Sequence, residues 1–186
     1  MQLMELPNEE ISFSASEPHQ LLNELMTAYG NELKRIAFLY VNDVSECEDI
    51  IQEVFVSCFQ NIHNFQHSSS YKTWLTRITI NKCKDHLKKW SFRNLLYHPF
   101  VNVQKTDPSA EVSALSEMAA EEMAAYLSHL SPKYKDVLIL FYYQELTMNE
   151  ISDVLDVGSN TVKSRLLRGK KALQVELERS GFDGSL

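Results

Sequence analysis

The stretch SYKTWLTRITINKCKDHLKKW, residues 70–90, gathers six cations and three aromatic rings in a chain whose formal net charge is -7. Lys72, Arg77, Lys82, Lys84, Lys88 and Lys89 stand among Tyr71, Trp74 and Trp90, against the single acid Asp85. Cations bind phosphates, and an aromatic face accepts a base taken out of its stack. The segment therefore has the chemistry to hold an opened nucleic acid strand. A blander reading keeps Trp74 as a core anchor for its helix and Trp90 as a packing residue at a helix end.

Charge is distributed in blocks. Residues 1–66 carry eleven acids and two bases, and 67–98 carry seven bases and one acid. Residues 99–130 carry five acids and one base, and 131–186 carry eight of each. Such a chain is repelled by nucleic acid on average and attracted at chosen places. The acidic 99–130 block is expected to compete with DNA for the basic surfaces.

A second basic surface lies in LTMNEISDVLDVGSNTVKSRLLRGKKAL, which reads as helix, turn, helix. Thr147 and Glu150 form a capping box for the first helix. Gly158 is expected at the turn in a left-handed conformation, with Ser159 as N-cap of the second helix. Val162, Leu166, Gly169 and Leu173 make the inner stripe. Thr161, Ser164, Arg165 and Arg168 make the opposite face, flanked by Lys163, Lys170 and Lys171. Short polar side chains with arginines behind them suit a helix lying in the major groove. Basic residues near a helix C-terminus are also favoured by its dipole alone.

Asp49, Gln52 and Glu53 share one helix face by their spacing. That face is either a docking surface or an ordinary solvated acidic stripe near a helix start. Ser45 with Glu48 reads as a capping box, so the helix is expected to begin at Glu46.

The elements that must position these groups are helices throughout. Residues 1–18 lack periodicity and are read as a disordered extension. Leu21, Leu22, Leu25, Met26, Tyr29, Leu33, Ile36, Ala37 and Tyr40 keep a helical spacing, and Ile51, Phe55, Cys58 and Ile62 continue it. A polar loop, 63–70, precedes a third helix expected over 71–89. A linker is placed at 97–112, around its prolines. VLILFYY, residues 137–143, follows Ser131 and Pro132, an N-cap and a helix-favouring first position, and is read as helix. The fold class is all-α: two small helical domains, 19–96 and 113–186, joined by a flexible linker. Five Gly and five Pro argue against a turn-rich sandwich or barrel. Cys47, Cys58 and Cys83 form no CxxC pair and read as buried thiols in a reducing cytosol. No targeting segment or membrane-length apolar run is visible, so a cytoplasmic location is expected.

Three segments then acquire a common meaning. EDIIQEVFVSCF, YKTWLTRITINKCKDHL and LSPKYKDVLILFYYQELTMNEISDVLDVGSNTVKSRLLRGKKAL occur in that order. Together they resemble the extracytoplasmic-function sigma factors of the sigma-70 superfamily, over roughly residues 20–178. The resemblance implies a first domain that binds the clamp helices of the largest RNA polymerase subunit and opens the promoter's −10 element. It implies a second domain that reads the −35 element as duplex and meets the flap of the second-largest subunit. On this sequence, Asp49, Gln52, Glu53 and Phe55 match the polymerase-docking motif. Asn64 to Trp74, with His67, Ser68, Tyr71 and Lys72, match the base-capturing loop and helix start. Arg77, Lys84, Lys88 and Lys89 would supply phosphate contacts. Asn160, Thr161, Lys163, Ser164, Arg165, Arg168 and Lys171 match the duplex-reading helix. The family further implies an anti-sigma factor as partner. No enzyme activity, cofactor or metal is expected. Two departures stand out. The loop QHSSS lacks the charged residue often found there, and Gly169 replaces the usual Ala, at a cost of roughly 1 kcal/mol in helix propensity.

Two rival functions have distinct signatures. A Mg²⁺-dependent nucleotide pyrophosphatase would use Glu46, Asp49 and Glu53, but needs a facing carboxylate pair. Glu121 and Glu122 are adjacent and point apart. A helix-turn-helix regulator that binds duplex DNA independently of core polymerase leaves the basic aromatic segment unexplained.

Overall fold

A computed structural model of the chain describes residues 18–65, 69–96 and 113–180, and the side chains of 90–96 and 113–120 are not among those described. The expected extension, the 97–112 linker, His67, Ser68 and the side chain of Trp90 thus lie outside the described residues. Among the described residues seven α-helices follow in order: α1 Pro18–Val41, α2 Val44–Asn61, α3 Tyr71–Leu96, α4 Ser113–Ser128, α5 Pro132–Leu138, α6 Met148–Leu155 and α7 Ser159–Arg179. A 3-10 turn, Ile62–Asn64, closes α2, and a π-helical turn, Ile139–Tyr143, closes α5. No strand occurs among the described residues.

The N-terminal half is a three-helix bundle of α1, α2 and α3. Its centre is built from Leu25, Leu33, Ile36, Ala37, Cys47, Ile50, Val54, Phe55, Cys58, Leu75, Ile80 and Cys83, all buried. Met26, assigned to the inner stripe by spacing, is exposed instead. Two local expectations need correction. Asp43 caps α2, accepting from the Glu46 amide at 2.9 Å, so the helix starts at Val44. The Ser45–Glu48 capping box is not formed, and Glu48 pairs with Lys34 at 2.7 Å. An Asp after the left-handed Asn42 (φ 52°) offers a ready acceptor two residues earlier than Ser45. The third helix runs on to Leu96 rather than stopping at Lys89. Its start is fixed by Ser70, whose hydroxyl accepts from the Thr73 amide at 3.1 Å.

In the C-terminal half, α7 packs on α5 and α6. The Thr147–Glu150 capping box is present, with both reciprocal bonds. Pro132 stands at the start of α5 after Ser131, whose side chain makes no cap bond. The left-handed residue of the helix-turn-helix is Asp156 (φ 52°), while Gly158 is extended (φ −60°, ψ 146°) and is itself the N-cap of α7. Ser159 is the first helical residue and donates to Asn149 Oδ1 at 3.2 Å. Asp tolerates the left-handed region better than most side chains, so Gly is not needed there.

Gly169 has a packing role. It is buried where α7 crosses α5, and a Cβ placed there would lie 3.3 Å from both Leu138 Cγ and Tyr134 Cβ. The departure from Ala thus accompanies a close helix–helix approach as well as a softer helix. Gly169→Val should overpack this crossing and lower stability by about 1–3 kcal/mol. Urea denaturation of the variant checks it, and an unchanged midpoint would show that α5 yields without cost.

Candidate nucleic-acid interface

The basic helix α3 is not a free cationic surface. Lys72 Nζ lies 2.9 Å from Glu32 Oε1, and Lys82 Nζ lies 3.2 Å from Glu53 Oε2. Lys84 Nζ lies 2.7 Å from Asp136 Oδ2. The Arg77 guanidinium donates to the Asp153 carbonyl of α6. Lys88 and Lys89, nearer the end of α3, are exposed, with Lys88 only loosely near Asp85 at 3.4 Å. Exposed pairs of this kind are worth about 0–1 kcal/mol. Asp136 differs, because its residue is only 4% exposed and it also accepts from Tyr40 Oη at 2.7 Å.

The loop end before α3 carries an aromatic cluster. Phe65 stacks on Tyr71 with ring centroids 4.5 Å apart and leans on Trp74 at 4.9 Å. Trp74 is half-buried, so its role as a helix anchor is combined with a place on a cleft wall. That cleft, of about 660 Å³, is lined on one side by Asn64, Phe65, Ser69, Trp74 and Arg77. Its other side is the turn of the helix-turn-helix, Ser152 to Gly158, bearing Asp153 and Asp156. Phe65 was not singled out in the sequence. Its position next to Asn64, six residues before Tyr71 and nine before Trp74, was the available signal.

The second basic surface is open. Asn160, Thr161, Lys163, Ser164, Arg168 and Lys171 are all exposed on α7, and Arg165 is half-buried beside them. Val162, Leu166 and Gly169 form the buried stripe as their spacing implies, with Leu173 partly buried. The capping box of α6 and the packing of α7 on α5 and α6 hold this helix in place while its outer face stays clear.

The acidic face of α2 is also open. Asp49, Gln52 and Glu53 are exposed and rim a hollow of about 460 Å³ with Val56, Ser57, Gln60 and Lys82. Val56, 56% exposed, gives this face an apolar spot. Phe55 does not belong to the exposed face. It is 5% exposed and packs in the core beneath α2, where it also lines the neighbouring hollow with Ile51 and Val56. The spacing i, i+3, i+4 placed the polar trio correctly, and Phe55 turns inward from it.

Among the described residues, no cluster of three or more metal-ligating side chains occurs. Glu46 is 2.8 Å from His86, and Glu53 is held by Lys82. No described helix is long and apolar enough to cross a membrane.

Comparison with known proteins gives these surfaces a common frame. The family model for sigma-70 region 2 matches residues 25–92, and that for sigma-70 region 4 matches residues 120–173. The chain belongs to the extracytoplasmic-function branch of the sigma-70 family. It is 27% identical over 166 residues to the ECF RNA polymerase sigma factor SigW of Bacillus subtilis, covering 83% of this chain and 87% of that one. It is 27% identical over 168 residues to SigM of the same organism, covering 87% and 98%. Among solved structures, CnrH in complex with the cytosolic domain of CnrY aligns with TM-score 0.67 at 19% identity, covering 87% and 90%. The sigma factor RpoE in complex with the anti-sigma factor NepR from Bartonella quintana aligns with TM-score 0.65 at 18% identity, covering 84% and 95%. The α1–α3 bundle is the region 2 unit of this sigma factor, and α4–α7 contain its region 4 unit. As a member of this family the chain directs RNA polymerase in transcription.

Proposed function

We propose that this sigma factor docks core RNA polymerase through Asp49, Gln52 and Glu53, reads the −35 element with α7 and opens the −10 element with α3 and the loop before it. The exposed outer face of α7 carries the duplex-reading part of the proposal. Its exposed polar and basic residues lie opposite a buried Val162–Leu166–Gly169 stripe, with Arg165 half-buried beside them, so one helix presents them together. In the region 2 unit, Phe65, Tyr71 and Trp74 offer the aromatic surface, and α3 offers the cations. Base–aromatic stacking supplies roughly 1–3 kcal/mol per base, close to the cost of unstacking one, so strand capture needs no nucleotide hydrolysis. The reading favours clamp-helix and flap contacts on core polymerase, a cytoplasmic site of action and an anti-sigma partner of the kind named in the RpoE–NepR complex.

The two basic surfaces should divide the labour. A bidentate arginine–guanine contact discriminates by roughly 1–3 kcal/mol, whereas a phosphate contact carries no sequence information. Arg165→Ala should weaken promoter binding and relax preference at one or two −35 positions. Lys88→Ala with Lys89→Ala should keep −35 preference, reduce open-complex formation and lower the salt slope by about one unit per lost phosphate contact. Both variants are measured as holoenzyme on matched promoter variants at several salt concentrations. Equal weakening of every −35 sequence by Arg165→Ala would reduce that residue to a backbone grip.

A further inference from the structure

Helix α1 carries a glycine that its own packing does not require. Gly30 lies mid-way along α1, where Gly is less favourable than Ala. Among the described residues, a Cβ placed there would meet only Phe55 Cε2, at 4.0 Å, an ordinary contact. The fold therefore has room for Ala at this position. Gly30 instead lines a groove of about 710 Å³ between α1 and α2. Leu22 and Met26 line it from α1, and Ile51, Val56 and Phe59 line it from α2. Met26 and Val56, both exposed, face this one groove. A glycine in the wall of an open apolar groove lets a bulky group come close to the backbone.

The chain brings an occupant of its own to this groove. Residues 1–17 join α1 at Pro18, and His19 already lines the groove, its ring 4.7 Å from that of Phe59 on α2. The stretch ISFSAS, residues 11–16, sets Ile11, Phe13 and Ala15 at alternate positions with no charge among them. Alternate residues of an extended segment share one side. The seven residues from Ile11 to Pro18 span up to about 25 Å when extended, and the five from Phe13 up to about 18 Å. Gly30 stands about 18 Å along α1 from Pro18, so a segment that turns back at Pro18 brings Ile11 and Phe13 to its level. Glu10 then reaches Lys34 on the groove wall, about 24 Å along the helix. Lys34 holds Glu48 at 2.7 Å in an exposed pair of little worth, which a second carboxylate can share. We propose that residues 11–16 fold back into the α1–α2 groove, with Ile11 and Phe13 against Gly30 and Met26, and there compete with core polymerase for α2. The competition rests on the reading of Asp49, Gln52 and Glu53 as the docking face. Gln52, Val56 and Gln60 line both the groove and the docking hollow, so an occupant of the first covers part of the second.

Photoreactive p-benzoylphenylalanine in place of Phe13 tests the docking in the full chain without polymerase. Irradiation of a mixture of isotope-light and isotope-heavy protein, read by peptide mass spectrometry, should give crosslinks within one chain to Met26, Val56 or their groove neighbours. Gly30→Leu, which fills the groove beside α1, should abolish most of that yield. Met26→Glu, at an exposed position of the same groove, should do the same and serves if Gly30→Leu fails to fold. Circular dichroism and urea denaturation establish folding. Ile11→Ser with Phe13→Ser should tighten core polymerase binding roughly tenfold, as measured by fluorescence anisotropy, if the docked form is about nine-tenths of the free chain. Crosslinks outside the groove would overturn the docking. Crosslinks only between light and heavy chains would overturn it too, and would give the groove to a second copy. Unchanged core affinity in the folded Ile11 and Phe13 variant would overturn the competition. The docking face itself is judged separately. If Asp49→Arg with Glu53→Arg keeps full core affinity while the groove crosslink persists, the reading of that face fails and the occupancy of the groove stands.

Discussion

Asp49→Arg with Glu53→Arg should abolish binding of this sigma factor to core RNA polymerase. Both carboxylates are exposed on α2, one turn apart, beside the exposed Val56 and the hollow that Gln52 and Gln60 help to line. Losing one partner of a charge pair that becomes buried at an interface costs about 2–5 kcal/mol, so two reversals should weaken binding at least about 100-fold. The fold should tolerate the change. Asp43, not Asp49 or Glu53, caps the helix, and the only described ion pair lost is Glu53–Lys82, an exposed contact worth about 0–1 kcal/mol. A second form, with Lys82→Glu added, restores that pair in swapped order and removes loss of the pair as an explanation. Fluorescence anisotropy of the labelled chain titrated with core polymerase measures the effect. Wild-type affinity in a folded double variant would assign docking to another face.

Stability should fall steeply above about pH 9.5, by about 2–3 kcal/mol per pH unit. Cys47, Cys58 and Cys83 are fully buried, and burial pushes their thiols up from 9.0 to about 12, about 11 and about 12. Above pH 9 the unfolded chain releases these protons while the folded chain keeps them, so folding loses ground as pH rises. Lys135 acts in the opposite direction. Burial lowers its ammonium from 10.5 to about 8, so between those values the unfolded chain holds a proton that the folded chain has released. Three protons one way and one the other leave a net of about two, at about 1.36 kcal/mol per proton and pH unit. Tyr40, raised well above 10 first by burial and then by Asp136, adds to the loss at higher pH. Urea denaturation in reducing buffer at fixed ionic strength, from pH 8 to about 11, reads the slope. Cys83→Ala should flatten it by about one proton. A level profile across this range would mean that the thiols titrate normally and that the core admits water around them.

Much of the site was legible before any coordinates. Local rules sufficed wherever a residue's role depends on its own helix. The i, i+3, i+4 spacing put Asp49, Gln52 and Glu53 together on an open face, and the same arithmetic separated the inner and outer sides of α7. The Thr147–Glu150 box was equally local. Local rules failed where two acceptors stood close together. Asp43 displaced Ser45 as a cap, and Asp156 took the left-handed position expected of Gly158, because each side chain satisfies backbone geometry within one turn of its rival.

What the chain's order of residues determined by itself was an all-helical protein with two cationic surfaces and one acidic face. What only the tertiary structure decided was the state of those charges. A cation reads the same in sequence whether it faces water or a carboxylate 52 residues away, as Lys84 does. Lys84 and Asp136 meet because α4 packs on α1 and α6 on α3, which brings the α5 side chains to this seam, and Gln144 reaches Thr76 and Glu32 at the end of the π-helical turn after α5. Phe55 turned inward and Gly169 became a contact point for the same reason: burial is set by which helix packs opposite. Helical periodicity fixes a face, but the partner of that face is chosen by long-range packing, which leaves no periodic trace in the residues themselves.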